Sequence, residues 1–230
     1  MPNYFLENRH KVQEAMLKEG FVLPLVSDEI LIAEPANNAN LKQVKITNIP
    51  YNIDQTVSWV MDAEFKGKRL FSNAQSIRTV EKVLMVMTKK AFLICMIELK
   101  SSISDWEKDT RSLDDIVDRK FRDTIDKVCL FLPIEVRDNR YENIKLNFKG
   151  ITFFNKEKVI TEPNNLAHRK IHNIFKSEMQ SGRIRLDTSI QGNVPLDLQF
   201  MKNPNQNQLF TISFHEIYPS FDTADLFYPN

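Results

Sequence analysis

The sequence predicts a single domain of mixed α/β class, built on a central mixed β-sheet that is flanked by helices. Two continuous apolar runs, residues 83–87 and 91–97, are typical of strands buried on both faces. A helical pattern, another strand pattern and a second helical pattern follow, as in sheets with crossover helices. The chain has five glycines and no Gly/Ser-rich or Pro-rich tract, so we expect residues 1–230 to form one domain.

The first third of the chain carries one helix pattern and four strand patterns. Apolar and charged residues at helical spacing predict a short amphipathic helix that ends at Gly20. Extended runs rich in β-branched or aromatic residues follow, and Asn and Pro, which are turn residues, separate them. These runs predict strands at residues 21–26, 30–33, 44–47 and 57–65.

The two apolar runs are joined at Lys89 and Lys90, which predicts a β-hairpin. The register centred on that turn puts Glu81 directly opposite Glu98. Two carboxylates that face each other are destabilising unless a cation or a lysine lies between them. Lys100 is two residues from Glu98 and therefore points to the same face of the strand. We expect the hairpin to collect two acids and one ammonium at one end.

The rest of the chain predicts two helices and four strands. Ser112 is an N-cap residue followed by acids, and it opens a helix over residues 112–130. The strand at residues 144–154 is expected to lie parallel to residues 91–100, because a strand, helix and strand in this order form a right-handed crossover. The second helix is predicted at residues 166–179, and the closing strands are predicted at residues 183–190, 196–201 and 209–217.

Composition argues against several classes of protein. The longest apolar run, residues 91–97, is too short to cross a bilayer, and the first ten residues lack a signal-peptide pattern, so we expect a cytoplasmic protein without membrane contact. Two cysteines cannot form a disulfide framework, which fits a reducing compartment. The five glycines are scattered and form no Gly-rich phosphate loop, which argues against a kinase or a nucleotide-driven motor.

Glu98, Leu99 and Lys100 end the second strand of the predicted hairpin, and Glu81 begins the first. This arrangement, followed by a helix and another strand, resembles the PD-(D/E)xK nuclease superfamily, whose members include restriction-type endonucleases. The resemblance covers about residues 8–155, and the helix and strands of residues 156–230 are expected to pack on that core. Glu14 matches the additional helical acid of many members. The chain departs from the family pattern, because no Pro-Asp precedes the first acid and Glu stands where Asp is usual.

The resemblance implies a metal-dependent endonuclease that hydrolyses the phosphodiester bonds of DNA, with RNA as the second substrate class. The implied cofactor is Mg²⁺ or Mn²⁺. Glu98 and Glu81 are the expected metal ligands, and Asp62 is the alternative to Glu81. Glu98 and Lys100 are the expected catalytic residues, with Lys100 as the catalytic ammonium. Resemblance also implies a homodimer, in which each subunit cuts one strand, and a role in restriction or antiviral defence.

A competing hypothesis is that the chain has the nuclease-like fold but no catalytic activity. An apolar strand that ends in Glu-x-Lys also arises where Glu98 and Lys100 form a purely structural ion pair. In that case the chain is a non-catalytic module that binds nucleic acid or protein on a degenerate nuclease scaffold. Stabilisation by a metal ion distinguishes the two hypotheses, because a ligand that binds only the native state raises its stability.

The charge pattern identifies candidate phosphate-binding residues. Lys and Arg number 31 and Asp and Glu number 30, so the net charge gives no support for nucleic-acid binding and local patches must carry it. Residues 145–185 contain nine basic and three acidic residues, which is either a phosphate-binding surface or an ordinary solvated one. Together with the bases of the helix at residues 112–130, this stretch provides the candidates Arg119, Lys120, Arg169 and Lys170.

Overall fold

A computed structural model describes residues 18–34, 39–52, 56–63, 78–104, 112–136, 145–158, 166–177, 182–205 and 208–226. These residues form ten strands, a π-helical segment (Asp115–Phe121) and three α-helices. The helices are α1 (Arg122–Val136), which continues the π-helical segment, α2 (Leu166–Lys176) and the short α3 (Phe214–Ile217). The strands are β1 (Val22–Pro24), β2 (Ile30–Ala33), β3 (Gln43–Thr47), β4 (Ser58–Asp62), β5 (Lys82–Met87), β6 (Ala91–Ser104), β7 (Lys145–Lys158), β8 (Gly182–Thr188), β9 (Gly192–Lys202) and β10 (Leu209–Ser213).

Seven of the strands form one mixed sheet in the order β1-β4-β5-β6-β7-β9-β8. Strands β6, β7 and β9 run parallel to one another, and the remaining neighbours are antiparallel. The long strands β6 and β7 lie at the centre, where both faces are covered, and their middle residues are therefore buried without alternation, from Phe92 to Leu99 in β6 and from Phe148 to Asn155 in β7. The mixed α/β class predicted from the sequence is confirmed.

Different layers cover the two faces of the seven-stranded sheet. One face, here called the helical face, packs through Met96 and its neighbours against buried residues of the π-helical segment, α1 and α2, such as Phe121 and Phe175. The other face packs through Ile97 and its neighbours against a three-stranded sheet of order β10-β3-β2 and against α3. We expected helices to flank the sheet; in the described residues, both long helices lie on one face and a second sheet covers the other.

The predicted hairpin forms with the predicted register. Strands β5 and β6 pair antiparallel, with Lys82 opposite Ile97 and Met87 opposite Phe92. Glu81 immediately precedes this register, and its backbone N–H donates to the carbonyl of Ile97, the residue before Glu98. Strands β6 and β7 pair in parallel, also as predicted. The sequence therefore determined the two strand pairings that matter most for the candidate site, because continuous apolar runs and one charged turn leave little freedom of register.

The last predicted strand, residues 209–217, is wrong in its second half. Strand β10 ends at Ser213, and the chain turns into α3. Ser213 is the N-cap of this helix, and a capping box joins it to Glu216. The predicted helix before Gly20 and its Glu14 lie outside the described residues.

Candidate active site

Glu98 is the centre of a buried cluster of charges on the helical face. It lies on β6 and is fully buried. Its Oε1 atom lies 2.6 Å from Nζ of Lys100, on the same strand, and 2.5 Å from Nζ of Lys120, on the π-helical segment. A buried charge is tolerated only when it is paired, and here two ammonium groups share one carboxylate oxygen.

Glu81 joins this cluster from the neighbouring strand. It immediately precedes β5 and is buried, and its backbone N–H donates a hydrogen bond to the carbonyl of Ile97 at 3.0 Å. One oxygen of Glu81 lies 3.9 Å from Nζ of Lys120. Lys120 therefore lies within ion-pair distance of both carboxylates. The sequence analysis predicted that two such carboxylates need a cation or a lysine between them.

Asp62, the expected alternative to Glu81 as a metal ligand, lies on the other face of the sheet. It is paired with Lys82 across β4 and β5, and these two side chains form an exposed ion pair with a distance of 2.8 Å. Met61 and Met96 belong to the helical face, and side chains alternate between faces along each strand. The alternation directs Asp62 away from Glu98, so the geometry favours Glu81 as its partner.

Two contacts hold the π-helical segment that carries Lys120, one at its start and one against the sheet. Ser112 accepts a hydrogen bond through its Oγ atom from the backbone N–H of Asp115 at 3.1 Å, in the capping role predicted for it. Phe121 packs over Gly150 of β7 so closely that a Cβ atom at this position would lie 2.6 Å from the ring. Only glycine leaves room for the ring, and this contact brings Lys120 to the carboxylates.

We expect Gly150→Ala to destabilise the protein by about 1–3 kcal/mol, because the added methyl group forces the Phe121 ring away from the sheet. Denaturant unfolding followed by circular dichroism measures the change. The same free energy of unfolding in the variant and in the wild-type protein would contradict this account of how the π-helical segment is seated.

Hydrogen bonds tie the segment before Glu81 to the same helix. The backbone N–H of Val80 donates to Oγ1 of Thr124 at 3.1 Å, and that hydroxyl donates to the carbonyl of Lys120 at 2.6 Å. The backbone N–H of Arg78 donates to Oδ2 of Asp123 at 3.1 Å. Glu81 and Lys120 thus share one supporting network, and this network holds the first acid of the hairpin near the second.

The charges of the cluster stabilise one another. Burial alone would lower the pKa of Lys100, but the negative charge of Glu98, its hydrogen bond, and further contributions from Lys120 and Glu81 outweigh burial, and the pKa is raised. Lys100 is therefore an ammonium ion at neutral pH and not a general base. Its position suits it to neutralise negative charge that develops on a neighbouring group.

The carboxylates fit the ligand chemistry of Mg²⁺. This ion is usually held by one or two carboxylates together with water and substrate phosphates. Among the described residues, Oε2 of Glu98 has no hydrogen-bond partner although it is buried. Thr152 lies opposite Glu98 on β7, and its buried hydroxyl likewise has no partner there. Such atoms call for a ligand or a water. No group of three or more possible metal-ligating side chains occurs in the part of the chain that is described.

The four predicted phosphate-binding residues have different surroundings. Lys120 is directed into the buried cluster, and only 13 % of its side chain is exposed. The side chain of Arg119 is 57 % exposed, and its Nη1 atom lies 3.5 Å from Oδ1 of Asp115. Arg169 and Lys170 are exposed on α2. Lys170 also lines a groove of about 580 Å³, whose walls include Arg183 and Arg185 from the edge strand β8.

The contact of Lys120 with both acids was missed by sequence reasoning, although a signal for it exists. Lys120 lies four residues after Ile116 and four before Thr124, and both of these residues are fully buried. Residues four apart on a helix share a face. This spacing puts Lys120 on the inner side, whereas we grouped it with the surface bases.

Comparison of the chain with protein-family models, curated proteins and solved structures finds no match. Within the described residues, no helix is long and apolar enough to span a membrane.

Proposed function

We propose that this protein is a Mg²⁺- or Mn²⁺-dependent endonuclease with a restriction-endonuclease-like core. DNA is its expected substrate, and RNA is the second substrate class. One observation carries the proposal. Glu81, Glu98 and Lys100 meet at the end of a hairpin within a mixed sheet, and a helix and a parallel strand follow that hairpin. This is the set of groups and the order of elements that the PD-(D/E)xK resemblance implies.

Each residue of the cluster has its own part in the proposed reaction. Glu98 and Glu81 would hold the metal ion, which, when bound, polarises a phosphate and lowers the pKa of a water molecule. Lys100 presents a protonated ammonium to the scissile phosphate and neutralises the charge that develops there. Arg119, Arg169 and Lys170 are exposed and would hold the flanking phosphates. A homodimer would cut both strands, and the proposed setting is restriction or antiviral defence in the cytoplasm.

The position of Lys120 favours a second candidate function. Its ammonium lies against Glu98 and within 3.9 Å of Glu81, so the two acids already have a cation between them. A nuclease scaffold that has lost its metal site would have this arrangement. Such a protein would be a non-catalytic module that binds nucleic acid or protein through the same surfaces.

Incubation of the purified protein with plasmid, single-stranded DNA and RNA tests the proposal. We expect nicking or linearisation of the plasmid with Mg²⁺ or Mn²⁺ and none with EDTA, because hydrolysis depends on the metal. Glu81→Gln should abolish cleavage, whereas Asp62→Asn on the opposite face should retain it. Binding of DNA without cleavage at any metal concentration would favour the binding module.

We expect the affinity for duplex DNA to depend on salt through Arg169 and Lys170. Each bound phosphate releases counterions, so replacing both residues with Ala should flatten the slope of log K against log salt by about one unit for every phosphate that the variant no longer binds. Fluorescence anisotropy at several salt concentrations measures this slope. Replacing Lys42 and Lys45 with Ala makes the same charge change near and on β3 of the second sheet, and should leave the slope nearly unchanged. Equal slopes in both double variants would mean that Arg169 and Lys170 make no phosphate contacts and are ordinary solvated surface residues.

A further inference from the structure

Two ammonium groups contact the same oxygen of Glu98, and they differ in where they come from. Lys100 lies on β6 with its acid, in the centre of the seven-stranded sheet. Lys120 comes from a different element, the π-helical segment, and it is the residue that also approaches Glu81. Segments of π-helix are rare and frequently occur at functional sites. The second ammonium therefore needs an explanation of its own.

Counting charges shows what the second ammonium does. Among the described residues, Glu81 and Glu98 contribute two negative charges to the cluster and Lys100 and Lys120 contribute two positive charges, so these four side chains are together neutral without any bound ion. A divalent cation that entered this cluster would leave two positive charges uncompensated. Buried like charges at a few ångströms repel far more strongly than they do in water. The cluster thus resists a metal ion for as long as both ammonium groups stay.

Lys120 is the ammonium whose departure frees both acids, because its Nζ lies 2.5 Å from Glu98 and 3.9 Å from Glu81. It is carried on a flexible four-carbon stem and, unlike Lys100, it does not lie on the strand of Glu98. Movement of this side chain alone makes two oxygen atoms accessible on the side that Lys120 occupied. They are Oε1 of Glu98, which Lys100 still contacts, and the oxygen of Glu81 that lies near Lys120. Lys100 stays on the strand, at the position that the proposed chemistry requires.

We infer that Lys120 is a resident counter-ion that competes with the divalent cation for Glu81 and Glu98, so that the metal binds well only when this ammonium is displaced. The inference rests on the proposed metal site and adds a means of regulating it. A substrate phosphate assists the exchange, because it brings negative charge that offsets the incoming cation and gives the displaced ammonium a new partner. Metal binding and phosphate binding are then coupled.

The variant Lys120→Met tests the inference, because it removes the ammonium and keeps most of the stem. We expect Mn²⁺ to bind this variant about tenfold or more tightly than the wild-type protein, by isothermal titration calorimetry without nucleic acid. We also expect Mn²⁺ to raise the Tm of the variant more than that of the wild-type protein. If the variant is unfolded without metal, Mn²⁺ should restore its circular dichroism spectrum.

Two control variants separate competition from a purely structural role. Lys127→Met removes another buried lysine of the same helix, whose ammonium donates to the carbonyl of Ala63 at 3.1 Å, and it should lose stability without gaining Mn²⁺ affinity. Lys120→Arg keeps the charge and should bind Mn²⁺ as weakly as the wild-type protein. Equal Mn²⁺ affinity in wild-type and Lys120→Met, including no binding by either, overturns the inference, as does a Lys120→Met protein that stays unfolded at every Mn²⁺ concentration. The nuclease proposal is judged separately by plasmid cleavage, which can fail while Mn²⁺ still binds more tightly to Lys120→Met.

Discussion

Replacing Lys100 with Ala is expected to abolish detectable plasmid cleavage, a loss of at least about 10²–10³-fold in rate. Its ammonium lies 2.6 Å from Glu98 and stays protonated at neutral pH because the surrounding acids raise its pKa. Removing it takes away one of the two positive charges in contact with Glu98, the proposed metal ligand. Cleavage under single-turnover conditions, with enzyme in excess over plasmid, measures the chemical step and not product release.

The matched control for this variant is Lys82→Ala. Lys82 lies on the neighbouring strand of the hairpin, but its side chain is on the opposite face, where it pairs with Asp62. This variant should cleave at the wild-type rate, because it changes the net charge equally without touching the cluster. Thermal unfolding of both variants shows whether the fold is retained. Undiminished cleavage by a folded Lys100→Ala protein would remove Lys100 from the mechanism.

The sequence was sufficient to predict the hairpin and its register. Residues 83–87 of β5 and 91–97 of β6 are apolar, and only Thr88, Lys89 and Lys90 separate the two runs, so local spacing determines which residues face each other. The proximity of Glu81 to Glu98 followed from this register. The parallel pairing of β6 with β7 could also be predicted, because the helix between them makes a crossover of ordinary length.

The second sheet could not be predicted in the same way. Strand β3 pairs in parallel with β10, so Val44 lies opposite Phe210 although most of the chain separates them. No short-range pattern encodes such a pairing, because any exposed edge of similar length satisfies the same backbone hydrogen bonds. The contact of Lys120 with the two acids was not predicted, for a different reason. Charged residues on helices usually face solvent, and we gave that tendency more weight than helical spacing.

Replacing Glu98 with Gln is expected to reduce the free energy of unfolding by about 3–5 kcal/mol, measured without metal by denaturant titration. The substitution keeps the shape of the side chain and removes the charge that Lys100 and Lys120 share. Within the described residues, Glu81 is then the acid left to compensate the two ammonium groups. Loss of one partner from a buried ion pair is costly because it leaves the other charge uncompensated.

Asp62→Asn is the matched control for Glu98→Gln, since it also turns an acid into its amide. Asp62 is half exposed, and its ion-pair partner in the described part of the chain is the solvent-accessible Lys82. Exposed ion pairs contribute roughly 0–1 kcal/mol. The two variants should therefore differ by several kilocalories per mole although the chemical change is of the same kind. A small effect for both would mean that the charges around Glu98 are solvated in solution. The buried cluster would then lose the property on which the proposed metal site and the proposed competition by Lys120 both depend, because repulsion between ammonium groups and a divalent cation is strong only where water is excluded.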